Sequence, residues 1–183
     1  MLAITYDPST TKVWGRGAVG EERVGQRLED ARSRGIEVLH DRRIPRSKAN
    51  IDHLAITPNG IWVIDAKRYA GKLERRDVGG WRTTDLRLFV NGRDKTKLVE
   101  GVQWQMSKVA ESIADSAFAD VPIHGALCFV DTDLGWFAKP FAINRVSITW
   151  GRKLIEPMLE PAHLDPPTIE QLTGFLAGRL RSA

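Results

Sequence analysis

Two apolar segments separated by a short turn constrain the fold more than any other part of the sequence. Residues 51–57 read IDHLAIT, residues 60–67 read GIWVIDAK, and Pro58 and Asn59 precede Gly60 between them. Proline, asparagine and glycine favour a chain reversal, so the two segments are predicted to pair as a β-hairpin. Both segments carry apolar residues on their two faces, and such strands lie inside a sheet that is covered on both sides.

The charged residues of this hairpin are predicted to share one face. Side chains alternate along a strand, so Asp65 and Lys67 point to the same side. A two-residue turn at 59–60 would place Leu54 opposite Asp65 and Asp52 opposite Lys67. The two carboxylates would then be diagonal neighbours, roughly 7–8 Å apart along the backbone, and their side chains could reach one cation. The same pattern also fits ordinary polar residues at a strand end, or an ion pair between Asp52 and Lys67.

A helix predicted over residues 17–34 adds a third carboxylate. Val24 and Leu28 lie on its apolar face, and Glu21 precedes them with helical spacing. This spacing directs Glu21 toward the sheet, whereas Glu22 is expected to face water. A glutamate near the start of a helix also stabilises the helix itself, so its position has a purely structural explanation as well.

Carboxylate oxygens of this kind are ligands that suit Mg²⁺ or Mn²⁺. The four histidines show no paired ligand spacing and a single cysteine cannot supply a thiolate cluster, so zinc is disfavoured. Cys128 lies in the apolar run ALCFV and is expected to be a packed core thiol. His53 lies on the strand face opposite Asp52, where a structural role is favoured over that of a general base.

The distribution of charge indicates a polyanionic partner. The formal net charge is +4, and basic residues flank the predicted acidic strands. There they would neutralise phosphates and concentrate a nucleic acid, although a solvated basic surface would show the same pattern. The candidates for contact with a nucleic-acid backbone are Arg43, Arg46, Lys48, Arg68 and Lys72.

The bulk sequence is that of a cytoplasmic protein without a membrane partner. No apolar run approaches the roughly 20 residues that span a bilayer, and the N-terminus lacks the features of a secretory signal. One cysteine fits a reducing compartment. A homodimer is not excluded.

The order of predicted elements gives the fold class. The other elements are a strand at 36–44, a second hairpin within 71–97, a helix at 98–118, strands at 123–130 and 146–150, and a helix at 168–181. This order predicts an α/β fold whose central mixed sheet has helices on both faces. The predicted organisation is a leader at 1–14, a core domain at 15–130, and a C-terminal extension at 131–183 that packs on the core.

Several of these motifs together resemble a known family. The succession GAVGEE, NIDHLAITPNGIWVIDAKRYAGKL and a long helix that contains glutamine resembles the nuclease-related domain (NERD) over about residues 15–115. That family is placed in the PD-(D/E)xK, restriction-endonuclease-like superfamily. The resemblance implies an αβββαβ core and a nuclease function.

The resemblance also implies roles for individual residues. Glu21 matches the helix acid, Asp52 the metal-binding aspartate, and Asp65 with Lys67 the carboxylate-x-lysine pair. Asp65 stands where glutamate is more frequent in the family. Asp52, Asp65 and the Ala66 carbonyl would hold one Mg²⁺ or Mn²⁺, and Glu21 would bind it through water or help hold a second ion. Lys67 would orient the attacking water or stabilise the transition state.

A glutamine at the start of the next helix usually completes the set in this family. Gln103 and Gln105 are both candidates, and Gln105 is favoured because it continues the line from Val102 to Val109. The family usually has Asn-Pro shortly before this glutamine, whereas this chain has VEGV at 99–102. The expected function is therefore a metal-dependent nuclease, an endodeoxyribonuclease in particular.

Two other classes of function remain open. The chain could be a module that binds nucleic acid without cutting it, or a protein-interaction domain whose apolar surface would lie within residues 133–160. Among the six tryptophans, Trp62 and Trp150 lie in apolar strands and are expected in the core. Trp81 and Trp136 lie in predicted loops and are the two that could contact a substrate.

Overall fold

A six-stranded mixed sheet forms the centre of the molecule. The computed structural model describes residues 8–132, 139–160 and 164–183, with side chains from residue 19 onward. Its elements are α1 Pro8–Asp30, β1 Glu37–Arg43, β2 Asn50–Thr57, β3 Gly60–Lys67, β4 Leu73–Asp77, β5 Leu86–Val90, β6 Arg93–Asp94, α2 Thr96–Ile113, β7 Ile123–Phe129, β8 Phe141–Ile143, β9 Val146–Trp150 and α3 Pro166–Arg179.

The strand order confirms the predicted fold class. The large sheet runs β1-β2-β3-β7-β9-β8, and β4, β5 and β6 form a separate three-stranded sheet. β1, β2 and β3 are antiparallel neighbours, whereas β7 is parallel to both β3 and β9. Helix α1 packs on β3, and helices α2 and α3 pack on β7 and β1. The sheet is therefore mixed and has helices on both faces, in the order helix, three strands, helix, strand.

Each face of the large sheet has its own apolar core. The core under α1 includes Val24, Leu28, Ala55, Ile64 and Ala126. The core under α2 and α3 includes Leu54, Val63, Val102, Leu127 and Leu172. Burial of one such side chain stabilises the fold by roughly 1.5–3 kcal/mol. Successive residues of β3 enter opposite cores, which explains why this strand is apolar on both sides.

The register of the central hairpin differs from the prediction. Thr57 pairs with Gly60 and Leu54 pairs with Val63. The two turn residues are therefore 58–59 rather than 59–60, and the predicted pairing of Leu54 with Asp65 is wrong by two positions. The error is an even number of residues, so it leaves the alternation of faces unchanged.

Side-chain hydrogen bonds explain the position of the turn. The Asn59 side-chain oxygen accepts hydrogen bonds from Trp62 Nε1 at 2.8 Å and Thr57 Oγ1 at 2.9 Å. Gly60 then begins β3 with φ +132°, a conformation that is essentially restricted to glycine. The sequence showed which residues reverse the chain, but these side-chain hydrogen bonds favour residues 58 and 59 as the two that form the turn.

The helix bounds also differ from those predicted. α1 begins at Pro8 instead of residue 17, and it ends at Asp30, before a short 3-10 turn that Gly35 closes with φ +87°. α2 ends at Ile113 rather than 118, where the Ser116 hydroxyl donates a hydrogen bond to the Ile113 carbonyl. No helix among the described residues is long and apolar enough to cross a membrane.

The described part of residues 133–160 belongs to the core. Strand β9 lies inside the large sheet, and Val146, Ile148 and Trp150 are buried. Residues 139–160 therefore show no exposed large hydrophobic residue of the kind that the interaction-domain alternative would need, while residues 133–138, including Trp136, lie outside the described residues. Trp62 and Cys128 are buried as predicted.

Candidate active site

The strands β2 and β3 separate at the end opposite their turn, and Asp52 lies in the gap. Their last pair is His53 with Ile64. Continued pairing would place Ala66 opposite Ile51, but the Ala66 N–H instead donates a hydrogen bond to Asp52 Oδ2 at 3.0 Å. The carboxylate thus takes the place of a backbone carbonyl, and it lies half-buried at the end of the sheet.

Asp65 is the most buried charged group of this region. Its side chain forms an ion pair with Lys67 Nζ, and only 7% of the residue is exposed. Burial raises the pKa of Asp65 to about 7, the Lys67 ammonium opposes the shift, and the neighbouring Asp52 carboxylate adds to it. The neighbouring carboxylates of Asp52 and Asp65 repel each other when both are ionised, and a cation between them would relieve this repulsion.

Lys67 stays protonated despite its burial. Burial by itself would lower its pKa, but the carboxylates of Asp65, Asp52 and Glu21 outweigh that effect and raise the pKa above the ordinary value. The side chain is 28% exposed, so its ammonium can also reach solvent. The group can therefore act as a fixed positive charge at neutral pH, and as a hydrogen-bond donor to an anionic ligand.

Glu21 lies on helix α1, which covers the face of the sheet opposite to Asp65, and it approaches Asp52 and Lys67 from that face. A Cβ atom on its neighbour Gly20 would lie 3.5 Å from Arg68 Cβ, so this part of α1 runs close to the end of β3. Partial burial and then the charge of Asp52 raise the pKa of Glu21, whereas Lys67 lowers it. Glu21 and Asp52 line an open cleft of about 370 Å³. The site therefore lies at the end of the sheet and combines one acid from helix α1 with acids from strands β2 and β3.

The Ala66 carbonyl points toward the same gap. The Lys67 carbonyl accepts a hydrogen bond from the Val130 N–H at 3.0 Å, on the β7 side. Backbone groups alternate sides along a strand, so the N–H and carbonyl of Ala66 face β2. The Ala66 oxygen is thus directed to the side on which Asp52 lies.

The two candidate glutamines lie in different places. Gln105 Nε2 donates a hydrogen bond to the Asn50 carbonyl at 3.4 Å, two residues before Asp52, and its Oε1 is buried with no partner among the described residues. Gln103 Nε2 donates to the Asn144 carbonyl at 2.9 Å, in the β8–β9 turn. Of the two, Gln105 is the one beside the acidic cluster.

Comparison with known protein families gives one match. The family model described as the nuclease-related domain, NERD, matches residues 16–130, a range that contains every acidic, lysine and glutamine candidate named above. The chain belongs to the NERD family. The general context of that family is the PD-(D/E)xK superfamily. No curated protein and no solved structure matches the chain significantly.

The cleft beside Glu21 and Asp52 is also lined by two histidines, which belong to a chain of polar side chains that the sequence pattern did not reveal. His53 Nδ1 lies 2.8 Å from His40 Nδ1, and His40 Nε2 lies 2.7 Å from Glu29 Oε1. Burial, and then the charge of His40, lowers the pKa of His53 to about 4, so His53 is neutral at pH 7. Gly25 faces both rings, and a Cβ there would lie 3.4 Å from His53 Cε1. The contacts give His53 a packing role.

The five basic candidates of the NERD domain fall into two groups. Three are exposed on the β1–β2 connection and form no ion pair with any described residue: Arg43, Arg46 and Lys48. The other two are paired, Arg68 with Asp131 at 2.5 Å and Lys72 with Glu74 at 2.7 Å. Of these five candidates, the three without an ion pair therefore lie together, at the end of β1 and in the connection to the start of β2.

The tertiary structure adds a basic residue to this group. The Arg43 N–H donates to the Arg181 carbonyl at 2.8 Å, and the Ala183 N–H donates to the Asp41 carbonyl at 3.0 Å. The last residues thus cover the edge of β1, and the exposed Arg181 lies next to Arg43. No local pattern could have revealed this contact, because the two segments are far apart in sequence.

The titration of Asp65 predicts a specific pH dependence of stability. Between about pH 4 and pH 7 the folded protein keeps a proton on Asp65 that the unfolded chain has released, so this group's contribution to the free energy of unfolding falls as pH rises. The depressed pKa of His53 acts in the opposite sense over a similar range. We expect the melting temperature of the wild type, relative to Asp65→Asn, to fall from pH 4 to pH 7 in EDTA. The His53 contribution cancels in this difference, and a difference independent of pH would contradict the prediction.

Proposed function

We propose that this NERD domain hydrolyses phosphodiester bonds in nucleic acid, with DNA as the favoured substrate and Mg²⁺ or Mn²⁺ as the cofactor. One observation carries the proposal. Asp52, Asp65 and Lys67 meet where β2 and β3 separate, with Glu21 facing them from α1. Acids and a lysine held together at the open end of a sheet, beside unpaired basic side chains, suit the hydrolysis of an anionic ester.

The residues present fit a divalent ion of this kind. The donors would be the carboxylates of Asp52 and Asp65 and the carbonyl of Ala66, with Glu21 acting through water or at a second ion, and all of them are hard oxygen ligands. Among the described side chains, no three His, Cys, Asp or Glu residues already form a metal-binding group. Asp65 instead forms an ion pair with Lys67 through one carboxylate oxygen, Oδ1. Ion binding at that oxygen would require Lys67 to leave it.

Side chains of the protein would stabilise the transition state and position the substrate. When bound, the ion would supply the charge that polarises the phosphate and lowers the pKa of a water molecule. The ammonium of Lys67, once released from Asp65, would donate hydrogen bonds to that water or to a phosphate oxygen and stabilise the additional negative charge. Gln105 would hold Lys67 or the phosphate in position. The basic β1–β2 connection would bind the backbone without reading bases.

A substrate panel tests the proposal directly. Labelled DNA and RNA, each as single strand, blunt duplex and branched duplex, are incubated with the protein in Mg²⁺, Mn²⁺ or EDTA. We expect cleavage with either ion and none in EDTA, with DNA cut faster than RNA. Binding without cleavage of any substrate would overturn the proposal and would favour the alternative, a module that binds nucleic acid without cutting it.

A further inference from the structure

The loop of the β4–β5 hairpin, residues 78–85, lies at the far end of two paired strands. One face of these strands packs on the core, where Leu88 is buried and Leu86 packs against the buried residues. At the base of the hairpin, Leu73 pairs with Val90 and both are buried. At its far end, Asp77 pairs with Leu86. Five residues at about 3.4 Å each place this end roughly 14–17 Å from the base. Because β4 follows β3 after only five residues, the hairpin starts beside the acidic cluster.

The tip of the hairpin exposes apolar side chains. Trp81 is 92% exposed and Val78 is 45% exposed, and these are two of the three exposed large hydrophobic residues among those described. The loop around them is ordered by its own hydrogen bonds. Asp77 Oδ1 accepts from the backbone N–H groups of Gly79 and Asp85, each at 2.9 Å. The indole is therefore presented to solvent by a defined loop, where a ligand can reach it.

The charge of the whole segment from β4 to β6 indicates the nature of a ligand for this hairpin. Residues 72–95 contain seven Lys and Arg against four Asp and Glu, so this short segment carries +3 of the chain's net +4. The Arg82 guanidinium lies 4.5 Å from the centre of the Trp81 ring. A ligand complementary to both features is an anion that also presents flat, apolar rings. Nucleic acid with unpaired bases has this chemistry, because a blunt duplex keeps its bases stacked inside.

We propose that the hairpin at 73–90 binds nucleic acid at unpaired bases. Trp81 would stack on a base, and Arg82 would contact the adjacent phosphate of the nucleic-acid backbone. The proposal rests on the proposed function for the acidic cluster and narrows its substrate. The nucleic acid that the domain acts on would contain a single-stranded stretch, such as an overhang or a fork.

Fluorescence anisotropy in EDTA tests the proposal without any need for cleavage. The probes are dye-labelled oligo-dT, a duplex with a 3′ overhang, and a blunt duplex of the same length. We expect the wild type to bind oligo-dT and the overhang duplex more tightly than the blunt duplex. Trp81→Ala should weaken binding of these two probes about 5- to 100-fold, because stacking on one base contributes an affinity gain of that size. Trp81→Phe should retain most of the affinity. Trp104→Ala removes the second exposed tryptophan among the described residues, which is 41% exposed on α2, and should bind like the wild type.

The outcomes separate this inference from the proposed function. If Trp81→Ala matches the wild type on every probe, or loses affinity equally for the blunt duplex, the inference is overturned even when the protein cuts DNA. If Trp81→Ala selectively loses single-stranded binding, the inference stands even when no cleavage is ever detected. Circular dichroism checks the fold, which an exposed tryptophan should not affect.

Discussion

Replacement of Asp65 by asparagine is expected to lower metal-dependent cleavage by about 10³-fold or more, because the buried carboxylate is the central proposed ligand of the ion and partner of Lys67. The amide keeps the shape of the side chain but removes its charge. Lys67→Ala is expected to have an effect of similar size, through loss of the ammonium. Cleavage of the preferred DNA, measured at saturating Mg²⁺, gives both values.

The fold should survive these substitutions. Burial raises the pKa of the Asp65 carboxyl group. Its replacement by a neutral amide should therefore leave the melting temperature of the protein unchanged or raise that temperature. Asp115→Asn is the matched control, because Asp115 is also ion-paired, to Arg179 at 3.0 Å, but lies beyond the end of α2. It should cleave at the wild-type rate. Cleavage by Asp65→Asn that equals the wild type would remove Asp65 from the proposed site.

Gly60→Ala is expected to reduce the free energy of unfolding by roughly 3 kcal/mol or more. Gly60 has φ +132°, and a Cβ atom there would lie 2.3 Å from the Pro122 carbonyl oxygen. That oxygen also accepts the Ile61 N–H at 2.9 Å, where β3 meets the segment before β7. The added methyl group must therefore displace backbone, and urea unfolding measures the cost.

Gly92→Ala separates backbone strain from steric clash. Gly92 has φ +75° in a turn, but a Cβ atom there would meet nothing within 4 Å. Its substitution should cost only about 1 kcal/mol, from the strained backbone conformation. Equal losses for the two variants would mean that β3 and β7 adjust to the methyl group, and that the contact with Pro122 is less rigid than the structure indicates.

The acidic cluster shows how far sequence reasoning can go. The alternation in GIWVIDAK predicted that Asp65 and Lys67 share a face, and these two side chains form an ion pair. The diagonal placement of Asp52 relative to Asp65 was wrong, because the register, continued past its last pair of His53 with Ile64, would place Asp52 opposite Asp65. The separation of β2 from β3, in which the Asp52 side chain binds the Ala66 N–H, has no signature in a strand pattern.

Contacts between distant segments account for the other differences. The ion pair of Arg68 with Asp131 partners one basic candidate, and the Arg181 contact with Arg43 brings a further basic residue beside the others. The hydrogen bond of Gln105 to Asn50 distinguishes it from Gln103, although both occupy one helix. Each of these facts depends on how elements are arranged in space, so periodicity and composition contain no information about them.

The sequence by itself determined the class of fold, the strands that carry the acids, and the family, because local alternation, turn residues and motif spacing are properties of short segments. Only the tertiary structure decided which charges are free, which are paired, and how helix α1 and the end of the sheet enclose the acids. The physical reason is that burial and Coulomb interactions depend on distances in space, which pairing and packing of distant segments create.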